Sequence, residues 1–63
     1  MDVRKRLAGR LRVLRKRRGL TQDQLSEKIG RSVDAVSNLE RGKSLPNFET
    51  LERLSQELGV PIR

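Results

Sequence analysis

Four glycines divide the 63-residue chain into short segments, and each segment carries apolar residues at helical spacing. These glycines are Gly19, Gly30, Gly42 and Gly59. Glycine is favoured just after the last turn of a helix, because it adopts a left-handed backbone at little cost. The pattern predicts an all-α fold, with residues 1–63 forming one domain built as a compact bundle of four to five helices.

The first segment predicts a helix from Val3 to Arg18. Its apolar residues recur at the spacing of one helical stripe, which consists of Val3, Leu7, Leu11 and Leu14. Most of its Lys and Arg residues fall off that stripe. Basic residues 15–18 occupy the last turn, where cations oppose the negative end of the helix dipole.

Three further helices are predicted from their capping residues. Thr21 and Gln24 have the spacing of a capping box, while Ser32 and Asn47 are suitable N-caps for the third and fourth helices. The second and third helices are expected to share the core residues Leu25, Ile29, Val36 and Leu39. The fourth is expected to turn Phe48, Leu51, Leu54 and Leu58 toward the core, and to end at Gly59 and Pro61.

The net charge of +7 is concentrated at one end of the chain. Residues 1–18 contain nine Lys and Arg residues and one acid, whereas residues 19–63 contain six basic and seven acidic residues. A basic cluster suits a polyanion, which can be a nucleic acid or an anionic membrane surface. Charge alone also allows a solvated face with no partner.

Residue types exclude several function classes. The chain has no Cys and no His, so no disulfide, metal site or catalytic constellation is expected, and no cofactor is predicted. A membrane-surface role for the first helix is disfavoured, because the bundle core needs its apolar stripe. With no membrane-spanning stretch and no signal peptide, we expect a cytoplasmic protein, associated with a bacterial or phage nucleoid.

A motif centred on the region from Thr21 to Gly42 places apolar, small and glycine residues at fixed offsets. The motif is Arg15-x-x-x-Gly19-Leu20-Thr21-Gln22-x-x-Leu25-Ser26-x-x-Ile29-Gly30, then Val36-x-x-Leu39-Glu40-x-Gly42, then Pro46 and Leu58-Gly59-Val60-Pro61. Over about residues 10–62 the chain resembles the lambda-repressor/Cro-like, or XRE-type, helix-turn-helix family. Ser26 replaces the Ala that is usual where the two helices cross, and it keeps the small size required there.

The resemblance implies that the third helix enters the major groove of double-stranded DNA. Its base-reading residues would be Ser32, Val33, Asp34, Ser37 and Asn38. Phosphate contacts would come from Gln22, Arg31, Arg41, Lys43 and Ser44. Arg15 and Glu40 correspond to a structural ion pair in the family.

Each of these roles has an alternative. Gln22 can serve only as a helix-capping residue, and the exposed positions of the third helix can be an ordinary solvated face. The phosphate candidates after that helix can be solvated loop residues. Asp34 can instead cap the third helix or pair with Arg31 or Arg41, since a carboxylate repels phosphates.

The predicted function is sequence-specific transcriptional regulation, with repression favoured, by a homodimer on a palindromic site. One alternative is an adaptor that bridges protein partners through the outer faces of the first and fourth helices. Another is an antitoxin with the same fold, which would bind a further protein partner. Whether the chain is part of a longer regulator stays open, because many relatives continue into a fifth helix beyond this point.

Overall fold

The computed structural model describes residues 2–60, and the predicted all-α fold is confirmed there. Four helices are present, namely α1 (Val3–Arg17), α2 (Gln22–Ile29), α3 (Val33–Glu40) and α4 (Phe48–Leu58). This described part contains no strand. Pro61, which was expected to help end the fourth helix, lies outside the described residues.

The predicted caps form. The Thr21 hydroxyl accepts from the Gln24 backbone N–H at 3.0 Å, and the Gln24 side chain accepts from the Thr21 N–H at 2.9 Å. The Ser32 and Asn47 side chains likewise accept from the backbone N–H groups three residues on, in Ala35 and Thr50. Each cap satisfies a helix donor that would otherwise lack a partner, and thereby fixes where its helix begins.

A single apolar core joins the four helices. Its buried members are Leu11, Leu14, Leu25, Ile29, Val36, Leu39, Leu54 and Leu58. The four residues predicted to be shared by the second and third helices all belong to it. At full burial each such side chain contributes about 1.5–3 kcal/mol, so this cluster is the main source of stability in a chain without disulfides.

Two apolar positions were predicted wrongly. Phe48 is 68% exposed and Val3 is 65% exposed, although helical spacing placed both on inward stripes. Both are the first residue of their helix, at the margin of the bundle. Thr50 is buried on α4 instead, and its hydroxyl accepts from Arg31 Nε at 3.1 Å, which compensates the burial of a polar group.

Candidate nucleic-acid interface

The turn between α2 and α3 sets how the two helices cross. Gly30 has a left-handed backbone (φ 69°), and the Arg31 N–H donates to the Ser26 carbonyl at 2.9 Å. Ser26 is buried at this point, and its hydroxyl donates to the Asp23 carbonyl at 2.6 Å. The small, internally bonded Ser26 therefore lets the helices approach without an unsatisfied polar group.

The predicted base-reading residues occupy one end and one side of α3, and we call them the reading face (Ser32, Val33, Asp34, Ser37 and Asn38). Ser32, Val33, Asp34 and Asn38 are exposed, and Ser37 is half-buried. The Ser32 hydroxyl is engaged as the N-cap. Within residues 2–60 the Asp34 side chain makes no hydrogen bond or ion pair, so neither Arg31 nor Arg41 pairs with it.

The opposite side of α3 ends in a buried carboxylate. Glu40 is 1% exposed, and Arg15 binds both of its oxygens, Nε to Oε2 at 2.7 Å and Nη2 to Oε1 at 3.0 Å. Arg15 Nη1 also donates to the Leu20 carbonyl at 2.8 Å. The predicted ion pair is thus a bidentate contact that ties α1 to the C-terminal end of α3.

Two more side chains join this pair to form what we call the Glu40 network (Arg12, Arg15, Gln22 and Glu40). Gln22 Nε2 donates to Glu40 Oε1 at 3.1 Å, and Arg12 Nη1 donates to the Glu40 backbone carbonyl at 2.8 Å. Arg12 thereby caps the negative end of α3. Because Gln22 is the first residue of α2, the network connects three helices, and one N–H of the Gln22 amide is already used.

The other phosphate candidates lie in two places. Arg31 is bonded to Thr50, whereas Arg41, Lys43 and Ser44 are exposed just after the end of α3. Arg31 and Ser44 line a groove of about 330 Å³ between α3 and the start of α4, together with the reading-face residue Asn38. One base-reading candidate and two phosphate candidates therefore meet at this groove, while Gln22 lies beside Glu40.

Comparison with known proteins agrees with this geometry. A family model described as helix-turn-helix matches residues 11–63. This chain belongs to the XRE-type helix-turn-helix family. The resemblance carried by the sequence motif is therefore confirmed, and the family is one of transcriptional regulators.

Three members of the helix-turn-helix family show how much of each protein the similarity covers. An uncharacterized helix-turn-helix transcriptional regulator (y4dJ) of Sinorhizobium fredii is 42% identical over 95% of this chain and 78% of its own length. The immunity repressor of Bacillus phage phi105 is 38% identical over 84% of this chain, but the match covers only 37% of the repressor. The solved structure of the clp gene regulator ClgR from Corynebacterium glutamicum has a TM-score of 0.88 at 32% identity, over 94% of this chain and 63% of that one.

The helix-turn-helix domain contains contacts that the sequence analysis missed. Arg12 and Arg18 were counted as part of a basic cluster, but each donates to a helix-terminal carbonyl, in Glu40 and Leu58 respectively. A signal was present, because Arg12, Arg15 and Arg18 recur every three residues and so share one side of the helix. Thr50 as a partner of Arg31 had no comparable signal.

Proposed function

We propose that this domain is a sequence-specific DNA-binding repressor that inserts α3 into the major groove. The main support is the exposure of three reading-face residues, Val33, Asp34 and Asn38, on a helix whose other side is buried in the core. A helix exposed in this way fits the ~12 Å width of the groove. Within residues 2–60 these side chains make no hydrogen bond or ion pair, so they are available to base edges.

Side-chain chemistry suggests what the reading face recognises. Asn38 can form two hydrogen bonds with adenine, Val33 can contact a thymine methyl group, and Asp34 can accept from a cytosine amino group. Asp34 also lowers affinity wherever it faces a phosphate, so it favours sites that present cytosine at its position.

The phosphate contacts are proposed to flank the reading face. Gln22 retains one amide N–H after bonding to Glu40, and it lies at the N-terminus of α2, where the helix dipole favours an anion. Arg31, Arg41, Lys43 and Ser44 would hold the backbone on the other side. These contacts position the domain and do not select sequence.

A titration with duplex DNA, followed by backbone amide NMR, tests the orientation. We expect the largest shifts at Val33, Asp34 and Asn38, and none at Glu52 and Gln56 on the outer side of α4. Shifts centred on α4, with α3 unchanged, would show that α3 does not enter DNA.

Repression and dimeric binding need separate measurements. We propose that two copies bind half-sites about 34 Å apart, one helical turn of DNA. Native mass spectrometry of the complex should therefore give two chains per site, and a bound monomer would contradict the dimer.

In a reporter strain, a site placed over the promoter should lower transcription, and an increase would reassign the protein as an activator.

A further inference from the structure

Four arginines of α1 form two pairs with different surroundings. Arg12 and Arg15 are bonded to Glu40. Arg10 and Arg17 are exposed, and neither side chain forms a hydrogen bond or ion pair with any residue between 2 and 60. Val13, which is 49% exposed, lies between them, and we call these three residues the outer face of α1.

The outer face points away from α3. In a helix with 3.6 residues per turn, positions two apart are roughly 160° apart around the axis. Arg10 is two residues from Arg12, and Arg17 is two residues from Arg15, while both Arg12 and Arg15 bind Glu40. Arg10 and Arg17 are therefore on the side of α1 opposite to α3.

The reading face points in the opposite direction by the same reasoning. Asp34 is two residues from the buried Val36, and Asn38 is two residues from the buried Glu40. The two exposed faces lie on opposite sides of a body that measures 29 × 22 × 21 Å. A straight duplex seated on α3 cannot also contact Arg10 and Arg17.

Helix electrostatics favour Arg17, which lies in the last turn of α1, but they do not favour Arg10. Arg10 follows Arg6 by one turn, a like-charge pair that destabilises an isolated helix. The acid at the start of α1 is the N-cap Asp2, which accepts from the Arg4 N–H and lies eight residues before Arg10. Arg10 and Arg17 make no hydrogen bond or ion pair within residues 2–60, so both are available to a partner outside the domain.

We propose that the outer face of α1 binds the phosphate backbone of a second DNA segment. Arg10 and Arg17 are about 10 Å apart along the helix axis, and phosphates of one strand recur about every 3.4 Å along the duplex, so two guanidinium groups can each reach a phosphate. Guanidinium binds phosphate with paired, charge-assisted hydrogen bonds. With α3 on one duplex, the domain links two DNA segments, and this linking rests on the proposed function.

A two-step capture experiment tests the proposal. The whole chain is first bound to an immobilised duplex selected for affinity, and a fluorescent duplex of unrelated sequence is then added. The test variant is Arg10→Gln with Arg17→Gln. The control, Lys28→Gln with Arg53→Gln, removes the same two charges from exposed residues that form only long ion pairs of 4.0 and 3.8 Å.

Wild type and control should capture the fluorescent duplex at 50 mM salt. The test variant should capture it about tenfold less well, and the slope of log affinity against log salt should fall by about two, one for each lost phosphate contact. Equal capture by the test and control variants would overturn the proposal. Equal capture is also what linking through the second α3 of a dimer would give, because that linking does not depend on Arg10 or Arg17.

Three further readouts separate other failures. Glutamine is a good helix former, so thermal unfolding should show the test variant to be folded. If wild type itself does not hold the immobilised duplex, the proposed function is wrong. The outer face is then judged by titrating wild type and the test variant directly with duplex and comparing their salt slopes. If Arg10 and Arg17 are needed for sedimentation with phosphatidylserine vesicles but not for DNA capture, the partner is a membrane surface and the proposal is wrong.

Discussion

The two ends of α3 differ in how completely folding uses their side chains. At its C-terminal end, Glu40 is 1% exposed and accepts hydrogen bonds from Arg15, Gln22 and, through its backbone, Arg12. At its N-terminal end, Val33 and Asp34 are exposed, and the Asp34 side chain makes no hydrogen bond or ion pair within the described part of the chain. One end holds the helix in place, and the other is left available to a partner.

This difference implies that substitutions at the two ends should act on different quantities. A change in the Glu40 network removes interactions that the fold needs, so it should appear in the free energy of unfolding. A change at Val33, Asp34 or Asn38 of the reading face should leave folding unaltered and appear in DNA affinity. Gln22 belongs to the network and is also a phosphate candidate, so it should affect both.

The largest effect is expected from Arg15→Ala. It leaves the Glu40 carboxylate buried without its counter-charge, which costs about 3–5 kcal/mol. A domain of this size has only about 3–9 kcal/mol of stability, so the variant should be largely unfolded or strongly destabilised at 25 °C. Urea unfolding followed by circular dichroism measures this. Arg17→Ala on the exposed side of α1 is the control, and equal stability of the two variants would mean that the Glu40 network does not hold the fold.

The next effect concerns the reading face. Asn38→Ala should weaken binding to the preferred duplex by about 1–3 kcal/mol and relax the preference at one base pair. Its unfolding free energy should stay within about 0.5 kcal/mol of wild type, because the side chain is exposed. Competition binding with single-base variants of the site measures the change, with Gln56→Ala as the control on α4. An equal loss for preferred and random duplexes would show that Asn38 does not read a base.

Gln22→Ala should give a smaller effect in both assays. The loss of the 3.1 Å hydrogen bond to Glu40 should cost about 0.5–1.5 kcal/mol of stability. Loss of the proposed phosphate contact should weaken preferred and random duplexes alike by a similar amount. Urea unfolding and fluorescence anisotropy on the same sample measure the two changes. If stability falls while DNA affinity is unchanged, Gln22 acts only within the fold.

The smallest effect is expected from Arg41→Ala. Arg41 is exposed after the last helical residue of α3, so its removal should not alter folding. We expect the affinity for every duplex to fall by a similar factor and the salt slope to decrease by about one unit. Anisotropy titrations at several salt concentrations measure the slope. A loss confined to one sequence would move Arg41 from phosphate contact to base reading.

Local signals predicted most of the fold, because caps act within three residues of sequence. Thr21, Ser32 and Asn47 each bond to the residue three positions on, so their role can be inferred from spacing. Phe48 could not be placed in this way. Periodicity identifies the residues that share a face, but which residue at a helix end is covered depends on neighbours distant in sequence.

The candidate site was predicted as a set of exposed positions and not as a set of contacts. Arg15 with Glu40 was anticipated only because the motif resembles a family in which that pair occurs. The bonds of Arg12 and Arg18 go to backbone carbonyls 28 and 40 residues away, and a carbonyl at a helix end gives no residue-specific signal. The same limit applies to Gln22, whose bond to Glu40 depends on how three helices meet.

Selection of bound sequences from a random duplex pool tests most directly whether the reading face selects DNA sequence. We expect a short enriched consensus with two-fold symmetry, and a second selection with Asn38→Ala should lose the preference at one position of each half-site. Enrichment of no consensus would contradict base reading by the reading face. The same consensus from both proteins would contradict base reading by Asn38.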